Sequence, residues 1–152
     1  IDMSIETMAR LAELPRIVGV KDATADLARP LLTRHRIGAD FCQLSGEDIT
    51  VTGFLAQGGH GCISVTANVA PALCAQLHDA WAEGDLPEVW AIRDKLAPLH
   101  RALFLESSPS PVKYALGRLG RIDPRVRLPL VEPGPQTRAA VDDAMRHAGL
   151  LN

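Results

Sequence analysis

Aromatic residues are scarce in this sequence: two tryptophans, one tyrosine and three phenylalanines among 152 residues. With a formal net charge of −2 and no run of basic residues, the chain has no aromatic-interleaved cationic stripe, which excludes nucleic acid as the expected partner. No apolar stretch approaches the ~18 residues that a membrane-crossing helix requires, and the opening residues lack the order of an export leader. Cysteine is rare too. Cys42, Cys62 and Cys74 lie twenty and twelve residues apart with no C-x-x-C pair, which fits reduced thiols and a cytoplasmic setting better than a disulfide framework. The five histidines, at 35, 60, 78, 100 and 147, show no metal-ligand spacing. Nor does H-E-x-x-H, a P-loop, G-x-S-x-G or a dinucleotide fingerprint occur, so no metal or organic cofactor is expected.

Lysine is the telling scarcity. The chain has three, Lys21, Lys95 and Lys113, against thirteen arginines. Lys21 directly follows Ile17-Val18-Gly19-Val20, an apolar run without alternation that predicts a strand buried on both faces, as in a parallel sheet covered by helices. Lys21 is then expected at the carboxyl end of that strand, where an amine can attack a carbonyl and form a Schiff base. The competing reading is a lysine that reaches out to solvent.

Around it the periodicity predicts helices. Ser4 is positioned to cap a helix running through Met8 and Leu11 to Pro15. Leu27, Leu31 and Leu32 suggest a second helix to Arg36, with Pro30 either delaying its start or kinking it and Gly38 stopping it. Phe41 to Ser45 reads as the next strand and Gly46-Glu47-Asp48 as the loop beyond it. Asp48 is placed to cap the helix Val51–Gln57. Gly58-Gly59-His60-Gly61 then leads into a strand from Cys62 to Val65. His60 lies before that strand, and functional residues in such folds gather beyond the opposite, carboxyl ends, so it is expected to be structural. The loop Thr66–Pro71 has no glycine, which argues against a backbone phosphate cradle. From Ala72 the pattern is helical, with Trp81 and Trp90 expected in the core, a break at Ser107–Pro111, an extended connector at Arg127–Pro133 and a last helix from Gln136 to Ala148.

Three blocks in order carry a resemblance. Val18-Gly19-Val20-Lys21-Asp22-Ala23-Thr24, then Leu44-Ser45-Gly46-Glu47-Asp48, then Gly58-Gly59-His60-Gly61-Cys62-Ile63-Ser64-Val65-Thr66-Ala67-Asn68 closely resemble the C-terminal half of the dihydrodipicolinate synthase family. The likeness continues through Pro111-Val112-Lys113, Arg127-Leu128-Pro129-Leu130 and His147-Ala148-Gly149-Leu150-Leu151. It implies the C-terminal part of a (β/α)8 barrel, about the last three strands, in residues 1–70, followed by the last barrel helix and a helical subdomain in 71–152. A complete barrel needs about 250 residues, so the chain is expected to be part of a longer protein.

The resemblance further implies an imine between Lys21 and pyruvate, with aspartate semialdehyde as the second substrate. Thr24, Gly46, Asp48 and the Ile63 backbone would line the pocket, no metal would be needed, and the assembly would be a homotetramer. The family's proton-relay tyrosine, the arginine for the aldehyde's carboxylate and the lysine feedback site belong to its N-terminal half. None of those motifs occurs here, and the only tyrosine, Tyr114, lies in the helical tail. This segment alone is therefore expected to be nearly inactive. The alternatives are another pyruvate-dependent Schiff-base aldolase, similar to a sialic acid lyase, and a noncatalytic half-barrel that packs on another chain through an open strand edge.

Overall fold

The computed structural model describes residues 2–152. The chain divides into two compact units, Ile1–Ser64 and Val65–Asn152. The first alternates helix and strand: α1 (Ile5–Ala12), β1 (Gly19–Asp22), α2 (Arg29–Ile37), β2 (Cys42–Ser45), α3 (Val51–Ala56) and β3 (Gly61–Cys62). The strands form one parallel sheet in the order β1-β2-β3. Helix α1 begins where expected, because the Ser4 side chain accepts a hydrogen bond from the Thr7 amide at 3.2 Å. This satisfies one of the first-turn N–H groups that have no partner inside the helix.

Side-chain direction separates the two faces of this sheet. The register pairs Gly19 with Cys42, Val20 with Gln43, Lys21 with Leu44 and Asp22 with Ser45, and partners in a parallel ladder point the same way. Gln43 and Ser45 are buried at 2% and 1% exposure. The Gln43 amide donates to the Pro30 carbonyl of α2 at 3.0 Å, so this face is the one that meets the helices. Cys42 and Leu44 are half-buried and Lys21 is exposed. Burial of the lysine strand on both faces is therefore not observed. Among the described residues β1 is the first strand of the sheet, and Val18, just before it, is 72% exposed. Lys21 is the third of the four residues of β1, one short of its carboxyl end.

One more expectation needs correction, and α2 adds a detail. β3 spans Gly61–Cys62 instead of running to Val65, because the chain turns into a single 3-10 turn at Thr66–Asn68. In α2, Pro30 sits in the first turn and, with Thr33, takes the buried positions. Leu31 and Leu32 follow at roughly 100° per residue, which leaves them 52% and 50% exposed.

The second unit holds α4 (Pro71–Glu83), α5 (Leu86–Ala102), α6 (Ser110–Arg118) and α7 (Pro135–His147). α5 packs against both α4 and α7, and α6 against α7. Its core is one stripe of α5 at i, i+3, i+4 spacing, Val89, Ile92, Leu96, Leu99 and Leu103, each at most 4% exposed. Gly84 ends α4 at φ 76°, a left-handed position that a side chain resists. Trp90 is not in the core: it is 39% exposed, with the Arg93 guanidinium stacked 4.7 Å from its ring. No helix among the described residues is long and apolar enough to cross a membrane.

Candidate active site

Parallel strands bring their carboxyl ends to one edge of the sheet, and Asp22, Ser45 and Cys62 stand there. Lys21 lies one residue inside that edge. With residues 16–20, Cys42, Leu44 and Ile63 it lines an open depression of about 330 Å³ that runs back along β1 to the segment before it. The amine thus emerges from a rigid strand, beside apolar walls, at the edge where parallel α/β folds assemble their sites.

The loop beyond β1 is folded around the carboxylate of Asp22. Oδ1 accepts from the Thr24 amide at 2.9 Å and from the Thr24 hydroxyl at 2.7 Å, and Oδ2 accepts from the Arg29 Nε at 2.8 Å. Arg29 also donates to the Met3 carbonyl at 2.8 Å and pairs with Asp2 at 3.0 Å, joining the start of α2 to the segment before α1. Burial pushes the Asp22 carboxyl up, but the hydrogen bonds from Thr24 and Arg29 outweigh it and hold the group below its ordinary range. This network was not singled out in the sequence, although Asp-x-Thr is a recognisable side-chain-to-backbone turn pattern.

The sign of its pH dependence follows. A carboxylate with a lowered folded pKa contributes stability in full above its unfolded value of about 4, and loses it as pH falls through the lowered folded value. Asp22→Asn is therefore expected to cost roughly 1–3 kcal/mol at neutral pH. It should also shrink the wild type's extra loss of stability below about pH 4, which denaturant melts at pH 7, 4 and 3 would measure. Equal acid sensitivity in both proteins would remove Asp22 from this role.

The remaining predicted residues fall as follows. Thr24 is exposed, and its hydroxyl is engaged with Asp22. Gly46 continues β2, and its amide donates to the Asp22 carbonyl at 2.7 Å, tying the second loop to the end of β1. Asp48 is 4% exposed and does not cap α3. The N-cap is Thr50, without a side-chain hydrogen bond, and the Asp48 carboxylate instead receives the Ser64 hydroxyl. The Ile63 amide donates to the Ser45 carbonyl at 2.7 Å, while its side chain is 52% exposed on the depression. His60 stands at the opposite end of β2, where its Nδ1 accepts from the Gln43 amide at 3.0 Å and its own amide donates to the Gln43 carbonyl at 2.8 Å. Tyr114 belongs to the helical unit, and its hydroxyl donates to Asp142 at 3.2 Å. Among the described residues no cluster of three or more His, Cys, Asp or Glu could hold a metal ion.

A strand-borne lysine at the carboxyl edge of a parallel sheet, followed by a helical unit, defines the class: a C-terminal part of a (β/α)8 barrel with an amine in its depression. The chain belongs to the dihydrodipicolinate synthetase family, whose family model matches residues 1–148. It is 65% identical over 151 residues to the 4-hydroxy-tetrahydrodipicolinate synthase of Rhodospirillum centenum, covering 99% of this chain and 52% of that protein. With the enzyme of the same name from Bradyrhizobium diazoefficiens it shares 56% identity over 152 residues, covering 100% of this chain and 51% of that protein. The chain thus spans about half the length of the curated relatives it matches. Among solved structures, the synthase of Methylacidiphilum fumariolicum SolV superposes with a TM-score of 0.93 at 32% identity, over 97% of this chain and 50% of that one. The chloride-inhibited dihydrodipicolinate synthase of Acinetobacter baumannii, complexed with pyruvate, gives 0.92 at 39% identity, over 99% of this chain and 52% of that one.

Proposed function

We propose that the protein to which this chain contributes is a class I synthase that condenses pyruvate with aspartate semialdehyde to 4-hydroxy-tetrahydrodipicolinate, in lysine and diaminopimelate biosynthesis. The observation that carries this reading is the position of Lys21 on the carboxyl edge of the sheet, in a depression walled by Leu44 and Ile63. In this mechanism the Lys21 amine adds to the ketone carbon of pyruvate, and loss of water gives an imine. The imine draws electrons from the adjacent methyl group, so a proton leaves and an enamine forms. The enamine carbon attacks the aldehyde of the second substrate. The amine of that substrate then closes the ring on the imine carbon and displaces Lys21, which returns unchanged. The imine serves as the electron sink, so neither a metal nor an organic cofactor enters these steps.

Gly46 and the Ile63 backbone would border the bound keto acid. Thr24 would act through the Asp22 turn that its hydroxyl closes, and Asp48 through the loop that it anchors to Ser64. The names of the relatives support the product, and the pyruvate complex of the Acinetobacter enzyme supports the first substrate. A cytoplasmic homotetramer is part of the proposal, although one structural relative is described as a monomeric variant.

The test is borohydride reduction of the intact protein with pyruvate, followed by peptide mapping. A reduced adduct on Lys21 is expected. An intact full-length protein that gives no adduct would overturn the reading.

A further inference from the structure

We infer that Gly46 is a positioning residue for the Lys21 amine: its missing side chain is the space through which the lysine chain runs. This inference rests on the Schiff-base reading of Lys21 and adds to it a determinant of how that amine is aimed. A Cβ placed on Gly46 would overlap Lys21 Cε, approach Lys21 Cδ to 3.1 Å and meet the Ala23 Cβ at 2.9 Å. Backbone conformation does not call for glycine here. Gly38, Gly58, Gly84, Gly120 and Gly149 have positive φ and Gly46 is not among them, so the space alone accounts for the residue.

The backbone of Gly46 is also held on both sides. Its amide donates to the Asp22 carbonyl at 2.7 Å. The preceding Ser45 hydroxyl accepts from the Glu47 amide at 3.0 Å and donates to the Glu47 carbonyl at 2.9 Å. An added methyl group therefore meets a fixed loop on one side and the end of a flexible, exposed lysine chain on the other. The lysine moves. The amine is thereby turned away from the line on which it would reach a ketone carbon, and the Ala23 contact at 2.9 Å is a separate cost borne by the loop. Misplacement by about 1 Å can reduce a reaction rate by roughly 10²-fold.

Three forms of the intact full-length protein separate this role from a merely structural one: wild type, Gly46→Ala, and Gly46→Ala combined with Ala23→Gly, which removes the second contact. The measured quantities are the rate of pyruvate adduct formation at saturating pyruvate, the pyruvate concentration at half saturation, and the thermal midpoint. Both variants are expected to trap pyruvate on the order of 10²-fold more slowly at saturating pyruvate, and the double variant, which lacks the Ala23 contact, to melt near wild type. A wild-type rate in Gly46→Ala overturns the inference. So does recovery of the rate in the double variant, which would assign the defect to the Ala23 contact and the loop. If Gly46→Ala alone fails to fold, the double variant decides on the same readings. Failure of both to fold also overturns the inference, because the methyl would then be refused by the backbone. Absence of an adduct in the wild type defeats the parent reading instead.

Discussion

Lys21→Ala and Lys21→Arg are both expected to abolish the pyruvate adduct, leaving the mass unchanged after borohydride, and to lower synthase turnover of the intact protein by roughly 10³-fold or more. The arginine variant keeps a cation on the strand but has no amine that can condense with a ketone. Stability should hardly change, because Lys21 is exposed and its contribution to the sheet is made by its backbone. A thermal midpoint shift equivalent to less than about 0.5 kcal/mol is the expected size for such a surface change. The chain offers two other lysines as internal controls. Lys95 is exposed on α5, and the Lys113 amine donates to the Arg125 carbonyl. An adduct that survives in Lys21→Ala, or that maps to either of these residues in wild type, would contradict the assignment.

The largest expected effect on stability lies in the helical unit. Leu99 is fully buried, in line with Leu96 and Leu103, on the face of α5 that meets α4 and α7. Leu99→Ala removes buried apolar surface and leaves a void that three helices cannot all close. The expected cost is about 2–5 kcal/mol, and the thermal midpoint should fall by roughly 5–15 °C for a chain of this size. Phe104→Ala is the comparison: the ring is 45% exposed just beyond the end of the same helix. A drop below about 1 kcal/mol for Leu99→Ala, or equal drops for the two variants, would mean that α5 is not the centre of this core.

What the sequence disclosed follows from how local each signal is. Gly84, Gly120 and Gly149 lie just past helix ends and all adopt positive φ, so α4, α6 and α7 could be delimited from chain neighbours alone. The α5 stripe was legible because its repeat runs over about four turns of one helix. The lysine strand was legible as a strand, but its burial was not, because four apolar residues in a row cannot tell a strand covered on two faces from one covered on a single face. Helix α2 was legible from Leu27, Leu31 and Leu32, while which of its faces is buried depends on Pro30 in its first turn. The Asp48 cap was a plausible local reading. The partner that took its carboxylate, Ser64, comes sixteen residues later, and no spacing rule points to it. Gly46 could be named as a residue near the depression, but its contact with the Lys21 chain exists only once β1 and β2 are in register.

That register has a chemical meaning. Lys21 and Asp22 are opposite charges joined by one peptide bond, yet the pleat of β1 sends them to opposite sides of the sheet. The carboxylate is held among the helices by Arg29 and Thr24, and the amine opens onto the depression. The strand is thus a partition one backbone thick between an acid and a base. A slip of one residue would exchange them, turning the carboxylate onto the depression and placing a second cation beside Arg29. Pairing fidelity between β1 and β2 therefore selects which of two adjacent ionisable groups opens onto the depression, so misalignment alone would change the chemistry of that surface without the replacement of any residue.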